Sequence, residues 1–140
     1  MTEQLELGQV SHGAHLVVED DLALNWGGDV PVFASPVLIG FVEKTCVEAL
    51  DGLLPDGFIT VGVGFDFMHL APAPLGDFVQ ATVKLDGIHG KQLKFSVSVR
   101  SEHGLLSSGS HIRAIVSRRR FMEKLESRQK AEAAVPVAAS

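Results

Sequence analysis

Ser35-Pro36-Val37-Leu38-Ile39-Gly40-Phe41-Val42-Glu43-Lys44-Thr45-Cys46-Val47-Glu48-Ala49-Leu50-Asp51-Gly52 is the stretch on which the fold turns. A serine hydroxyl can satisfy an orphan amide at a helix start, and proline suits the first helical position. Asp51-Gly52 supplies a stop, so the spacing predicts one helix from Ser35 to about Leu50. At about 100° per residue, Lys44, Glu48 and Asp51 fall in one narrow sector that must face water. Most of the remaining surface is apolar and needs a sheet to cover it.

Downstream of this helix the periodicity changes from helical to alternating. Ile59, Val61, Val63, Phe65, Phe67 and His69 occupy every second position, with Phe58 just before them, which predicts a strand ended by Ala71-Pro72-Ala73-Pro74. Val79, Ala81, Val83 and Leu85 alternate with polar residues, as do Leu93, Phe95, Val97 and Val99. A last strand is expected over about 105–116. Ile88-His89-Gly90-Lys91 and Glu102-His103-Gly104 carry glycine where tight reversals need it, so the last three strands should form an antiparallel meander. Upstream, residues 10–18 read as a weaker strand, and 20–34, with Trp26-Gly27-Gly28-Asp29 and Pro31, as a lid-like loop.

The resulting order is strand, loop, one apolar helix, four strands. The economical solution is an α+β domain in which a curved antiparallel sheet wraps one long central helix, the hot-dog architecture. The domain is expected over residues 1–126, with 127–140 as a flexible C-terminal tail; Arg118 to Lys130 reads as a solvated helix.

The chain has 140 residues and is 46% hydrophobic, enough for one core and too little for two domains. Twelve Lys and Arg against 17 Asp and Glu give a net charge of -5, which argues against nucleic acid as a partner. Cys46 is the lone cysteine and fits a reducing compartment. The start, MTEQLELGQV, shows no signal pattern, and the apolar run near Val37 to Val42 is far shorter than the ~20 residues of a membrane span. A soluble, cytoplasmic protein with no membrane association is expected.

Several residues invite a chemical reading beside a bland one. Glu43 lies between Leu50 and Val47 on the arc facing the sheet, where a carboxylate is costly unless paired, hydrogen-bonded or protonated; it can also reach solvent at the edge of the arc. His69 ends an apolar strand face and suits acid-base work near neutral pH, or is a satisfied rim residue. Gly62 and Gly64 leave room for a close approach, or mark a bulge. Ser35 is explained by capping, although the helix start beside it offers free amides to a polarised carbonyl oxygen. Arg113 shares a strand face with His111 and fits either a phosphate or pantetheine contact or a solvated sheet face. His12 and His15 lack the partners of a metal site, so no metal is expected. Arg118-Arg119-Arg120 reads as a solvated charge run or as a guide for an anionic ligand.

Val32-Phe33-Ala34-Ser35, the helix through Glu43, Thr45 and Cys46, and Ser108-Gly109-Ser110-His111-Ile112-Arg113-Ala114 together resemble the fluoroacetyl-CoA thioesterase family of hot-dog proteins, over most of residues 8–124. The resemblance implies a catalytic set of hydroxyl residue, helix glutamate and strand histidine at Ser35, Glu43 and His69. It likewise implies ligand-associated positions at Gly62 and Arg113. The implied reaction is hydrolysis of an acyl-CoA to a carboxylic acid and free CoA by a homodimer. Coenzyme A is part of that substrate, so no separate cofactor is implied. Serine stands at Ser35 where the fluoroacetate specialist has threonine, and residues 20–31 look shorter than its lid, so fluoroacetate selectivity is not carried over. Two other readings stay open: a non-catalytic acyl-CoA binding or sensing module, and a hot-dog enoyl-CoA hydratase.

Overall fold

The structure is a computed structural model that describes residues 1–134. Five strands, β1 (Val10–Leu16), β2 (Phe58–His69), β3 (Phe78–His89), β4 (Gln92–Ser101) and β5 (Gly104–Ser117), form one antiparallel sheet in the order β1-β3-β4-β5-β2. The central helix α1 (Ser35–Ala49) lies across the concave face, chiefly over β1 and β3, and leaves the edge strand β2 mostly uncovered. This is the α+β hot-dog arrangement expected from the sequence, with the expected order of elements.

The core follows from the alternation. Val79, Ala81, Val83 and Leu85 of β3 and Leu93, Phe95, Val97 and Val99 of β4 are buried, and they meet Leu38, Phe41, Val42 and Cys46 of α1. Each large apolar side chain withdrawn from water in this way stabilises the fold by about 1.5–3 kcal/mol. The helix closes at Leu50, and Gly52, with φ of 73°, reverses the chain in a left-handed conformation that costs other residues more.

Three details differ from the sequence reading. Helix α2 (Arg118–Ala134) begins where the solvated helix was expected and runs four residues past Lys130, into the part of 127–140 read as a tail; the rest of that tail lies outside the described residues. The backbone of Ala34, not Ser35, takes the N-cap conformation, and Ser35 is already the first residue of α1 with no capping hydrogen bond. The third difference is a bulge in β2. Gly62 pairs with Arg113 and Gly64 with Ile112, so Val63 is an extra residue that inverts the alternation. Thr60 and Gly62 before it therefore share the helix-facing side with Phe65, Phe67 and His69 after it, whereas Ile59 and Val61 point outward.

The loop between β1 and α1 is built from two single-turn 3-10 helices, Glu19–Asp21 and Ala23–Asn25. Isolated bridges Leu22↔Phe33 and Val32↔Pro74 pin it. Asp21 is buried at its base, accepting from the Val18 amide at 3.0 Å and facing His15 Nε2 at 2.7 Å. Trp26 stays exposed at its tip, donating Nε1–H to the Asp20 carbonyl at 3.0 Å.

Gly109 of β5 faces the Asp66–Phe67 backbone of β2 so closely that a Cβ there would collide with the Asp66 carbonyl oxygen. Backbone cannot swing aside as a flexible side chain can. Gly109→Ala should therefore weaken the β2–β5 pairing and lower unfolding free energy by about 2 kcal/mol or more, read by denaturant titration.

Candidate active site

The site begins with a buried cation. Arg113 of β5 has a side chain only 6% exposed, and its guanidinium is matched on every side. Nε–H donates to Thr60 Oγ1 at 2.8 Å and Nη2–H to the Thr60 carbonyl at 3.0 Å. Nη1 reaches both Glu43 Oε2 at 3.0 Å and His111 Nε2 at 3.1 Å. The solvated-face reading of Arg113 is thereby excluded: Arg113 and His111 both point inward. Among the described residues no buried side-chain polar atom is left without a partner, as the cost of an orphaned charge requires.

Glu43 projects from α1 toward β2, with its side chain 34% exposed. It sits at the edge of the apolar arc, paired by Arg113 and still open to a ligand. Oε2 takes the guanidinium, and no hydrogen bond to Oε1 is found among the described residues. Room for the carboxylate comes from Gly62. A Cβ at that position would lie 2.5 Å from Glu43 Oε2 and 3.0 Å from Phe65. Both alternatives raised for Gly62 thus hold at once: it begins the bulge and it allows a close approach.

His111 donates Nδ1–H to the Gly64 carbonyl at 2.8 Å, which leaves Nε2 as acceptor for Arg113. Its ring stacks on Phe65 with centroids 4.7 Å apart and meets Phe67 edge-on at 6.1 Å. Burial holds its pKa below the usual histidine value, since the charged form loses hydration. Cys46, on the sheet-facing side of α1, has its thiol pKa pushed up to about 12 by burial and is a core residue, not a nucleophile.

A second cluster forms at the start of α1. Ser35 Oγ and His69 Nδ1 are 2.7 Å apart, so the hydroxyl that does not cap the helix engages the imidazole. Glu43 is eight residues further along α1, roughly 12 Å by helical rise. His69 is seven residues beyond Gly62 on β2, about 20 Å along the strand. One chain therefore brings together Glu43, Gly62 and Arg113, and separately Ser35 and His69, but does not bring Glu43 to His69.

Sequence reasoning missed the roles of Thr60 and His111 as the partners of Arg113. His12 and His15 do not converge: His12 Nδ1 lies 3.0 Å from Thr82 Oγ1, and His15 Nε2 faces Asp21. Asp77, Glu102 and His103, on the surface turns at the far end of the sheet, bring ligand-type atoms within 4.8 Å of one another, a grouping the sequence reading did not anticipate. Among the described residues no helix is long and apolar enough to cross a membrane.

The depressed pKa of His111 has a sign that can be tested. Neutral His111 is favoured in the folded chain, so its contribution is complete above the ordinary value of 6.5 and is lost as pH falls through the lower folded value. Glutamine can copy both hydrogen bonds without titrating. Between about pH 7.5 and about pH 5, thermal unfolding of His111→Gln should lose less stability than the parent chain does; equal slopes would show that His111 does not contribute.

Residues 17–119 match the family described as fluoroacetyl-CoA-specific thioesterase. The fluoroacetyl-CoA thioesterase of Streptantibioticus cattleyicolor is 32% identical over 102 residues, spanning 73% of this chain and 72% of that protein. A hot-dog-like protein from Thermanaerovibrio acidaminovorans superposes with a TM-score of 0.85 at 28% identity, over 91% of this chain and 95% of that one. A solved fluoroacetyl-CoA thioesterase gives 0.84 at 24% identity over 88% and 96%, a likeness of fold. With a sheet of matching architecture and a family match across most of its length, the chain belongs to the fluoroacetyl-CoA-specific thioesterase family.

Proposed function

We propose that the protein is an acyl-CoA thioesterase that hydrolyses its substrate to a carboxylic acid and free CoA, as a homodimer whose two sites are shared. The observation that carries this reading is the Glu43 carboxylate, held at one oxygen by buried Arg113 and turned toward the space left by Gly62. Membership of a thioesterase family supports the reaction class.

In this scheme Glu43 attacks the thioester carbon or activates the water that does. The Arg113 guanidinium fixes which carboxylate oxygen is free for that work. The C–S bond breaks, and the departing thiolate takes a proton from His69, whose ring Ser35 orients through Nδ1. Amides at the start of α1 stabilise the oxygen that gathers charge as the carbonyl is attacked. As nucleophile, Glu43 forms a mixed anhydride that water then hydrolyses, releasing the acid and restoring the carboxylate; as base, it takes the proton of the water that attacks.

The separation of the two clusters supports a shared site. Among the described residues β2 pairs with β5 alone and its other edge has no strand partner, and Val63, Phe65, Met68 and Leu70 along it are about half exposed or more. Two β2 strands paired antiparallel about an axis between Phe65 and Asp66 set Gly62 opposite the partner's His69. That register joins Glu43 and Arg113 of one chain to the partner's His69 and Ser35, and it covers the exposed apolar row. Buried Cys46 is compatible with a cytoplasmic setting.

Glu43→Gln should lower turnover of acyl-CoA by about 10²-fold or more, in an assay of free thiol, with its circular dichroism unchanged; full turnover would discard the assignment of Glu43. His69→Ala should be similarly impaired. Mixing the two inactive chains should restore roughly a quarter of the parent activity, because half the dimers are mixed and each of those has one intact site. No recovery on mixing, with exchange verified, would show that the site is not shared.

A further inference from the structure

At the end of the sheet where β2 begins and β5 finishes lies a cleft of about 640 Å³ that the catalytic scheme does not use. Phe58, Ile115 and Phe121 give it apolar walls, and Lys91, Arg120 and Lys124 stand around it. Lys91 comes from the β3–β4 turn, and Arg120 and Lys124 from the first two turns of α2.

These cations are arranged against their own interest. Arg120 and Lys124 are i,i+4 neighbours on one helix face, a spacing at which like charges repel. Arg118, Arg119 and Arg120 fill the first turn of α2, which has no acidic residue, although the positive end of the helix dipole disfavours cations there. Other cations of α2 are matched: Arg119, which shares that first turn, pairs with Glu123, and Arg128 with Glu132. Among the described residues Lys91, Arg120 and Lys124 have no carboxylate within 4.0 Å. A chain of net charge -5 that collects three unmatched cations around an aromatic-walled cleft is suited to a polyanion carrying a flat ring.

The cleft also has a fixed relation to the candidate site. Phe58 pairs with Ser117 at the cleft, and Gly62 pairs with Arg113 at the carboxylate, four residues along the same two strands. That is roughly 13 Å of strand, a distance an extended pantetheine arm can bridge. Phe58, Thr60 and Gly62 lie on one side of β2, and Arg113 and Ile115 on the matching side of β5, so both places lie on the same face of the sheet.

We propose that this cleft holds the 3′-phosphoadenosine diphosphate end of CoA, with Lys91, Arg120 and Lys124 on the phosphates and Phe58 and Phe121 against the adenine. The assignment rests on the acyl-CoA reading above and adds to it the part of the substrate that is bound before any chemistry occurs.

The probe is adenosine 3′,5′-bisphosphate, titrated by calorimetry into the full chain and into the double variant Arg120→Glu, Lys124→Glu, whose positions are exposed and outside the catalytic set. The parent should bind it, and the double variant should bind at least about tenfold more weakly. The same variant should raise KM for acyl-CoA with kcat unchanged, and leave hydrolysis of the matching acyl-pantetheine, which lacks the nucleotide, at the parent rate. No binding of the bisphosphate by the parent, or equal binding by both chains, overturns the proposal. So does pelleting of the parent, but not the variant, with phosphatidylserine vesicles when neither binds the bisphosphate. Hydrolysis of acyl-pantetheine tests the thioesterase reading by itself, so its failure is told apart from failure of the nucleotide cleft.

Discussion

A guanidinium shut away from water has to be met by acceptors on every side, and the arrangement around Arg113 follows from that requirement. Thr60 supplies two acceptors from β2, His111 one from β5 and Glu43 one from α1. A single side chain thereby ties the helix to the uncovered edge of the sheet, where apolar packing from α1 is sparse. The same contacts set the tautomer of His111, orient Glu43 and hold the strand pair on either side of the bulge. Replacing such a group with a hydrocarbon is often tolerated by a fold, whereas removing one partner is not, so its presence here is better explained by what it positions than by net stability.

Much of the architecture was readable because β3 and β4 are half-buried strands with strict alternation, and the burial of Val79 through Leu85 and Leu93 through Val99 follows it residue by residue. The helix was readable from Pro36 and from the polar sector of Lys44 and Glu48. Sequence periodicity failed in β2, where Gly62-Val63-Gly64 hides an extra residue: an apolar valine continues the pattern in letters while the backbone breaks it. It failed again at Ser35, because a serine just before a proline looks the same whether its hydroxyl caps an amide or meets a histidine from another strand.

The candidate site was legible residue by residue but not in its partition. Glu43 stood out as a carboxylate on an apolar arc, and His69 as an imidazole at a strand end. Their separation within a chain depends on how far apart α1 and β2 carry them, which no local pattern encodes. Thr60 and His111 were passed over for a related reason. A threonine in a strand and a histidine near an arginine are common, and only burial at 0% makes the histidine a component of the site.

The extra residue at Val63 shifts the phase of one strand by half a period. Upstream, Thr60 and Gly62 serve the arginine; downstream, Phe65, Phe67 and His69 serve the imidazole end, and both groups share a face only because two residues, Val63 and Gly64, lie between Gly62 and Phe65 where a regular strand would have one. A lineage that lost or gained one residue within 62–64 would turn the whole terminal half of the strand over, carrying His69 away from Ser35 while leaving the amino-acid composition almost untouched. It is the length of this short interval, more than the side chain at Val63, that decides which face His69 takes.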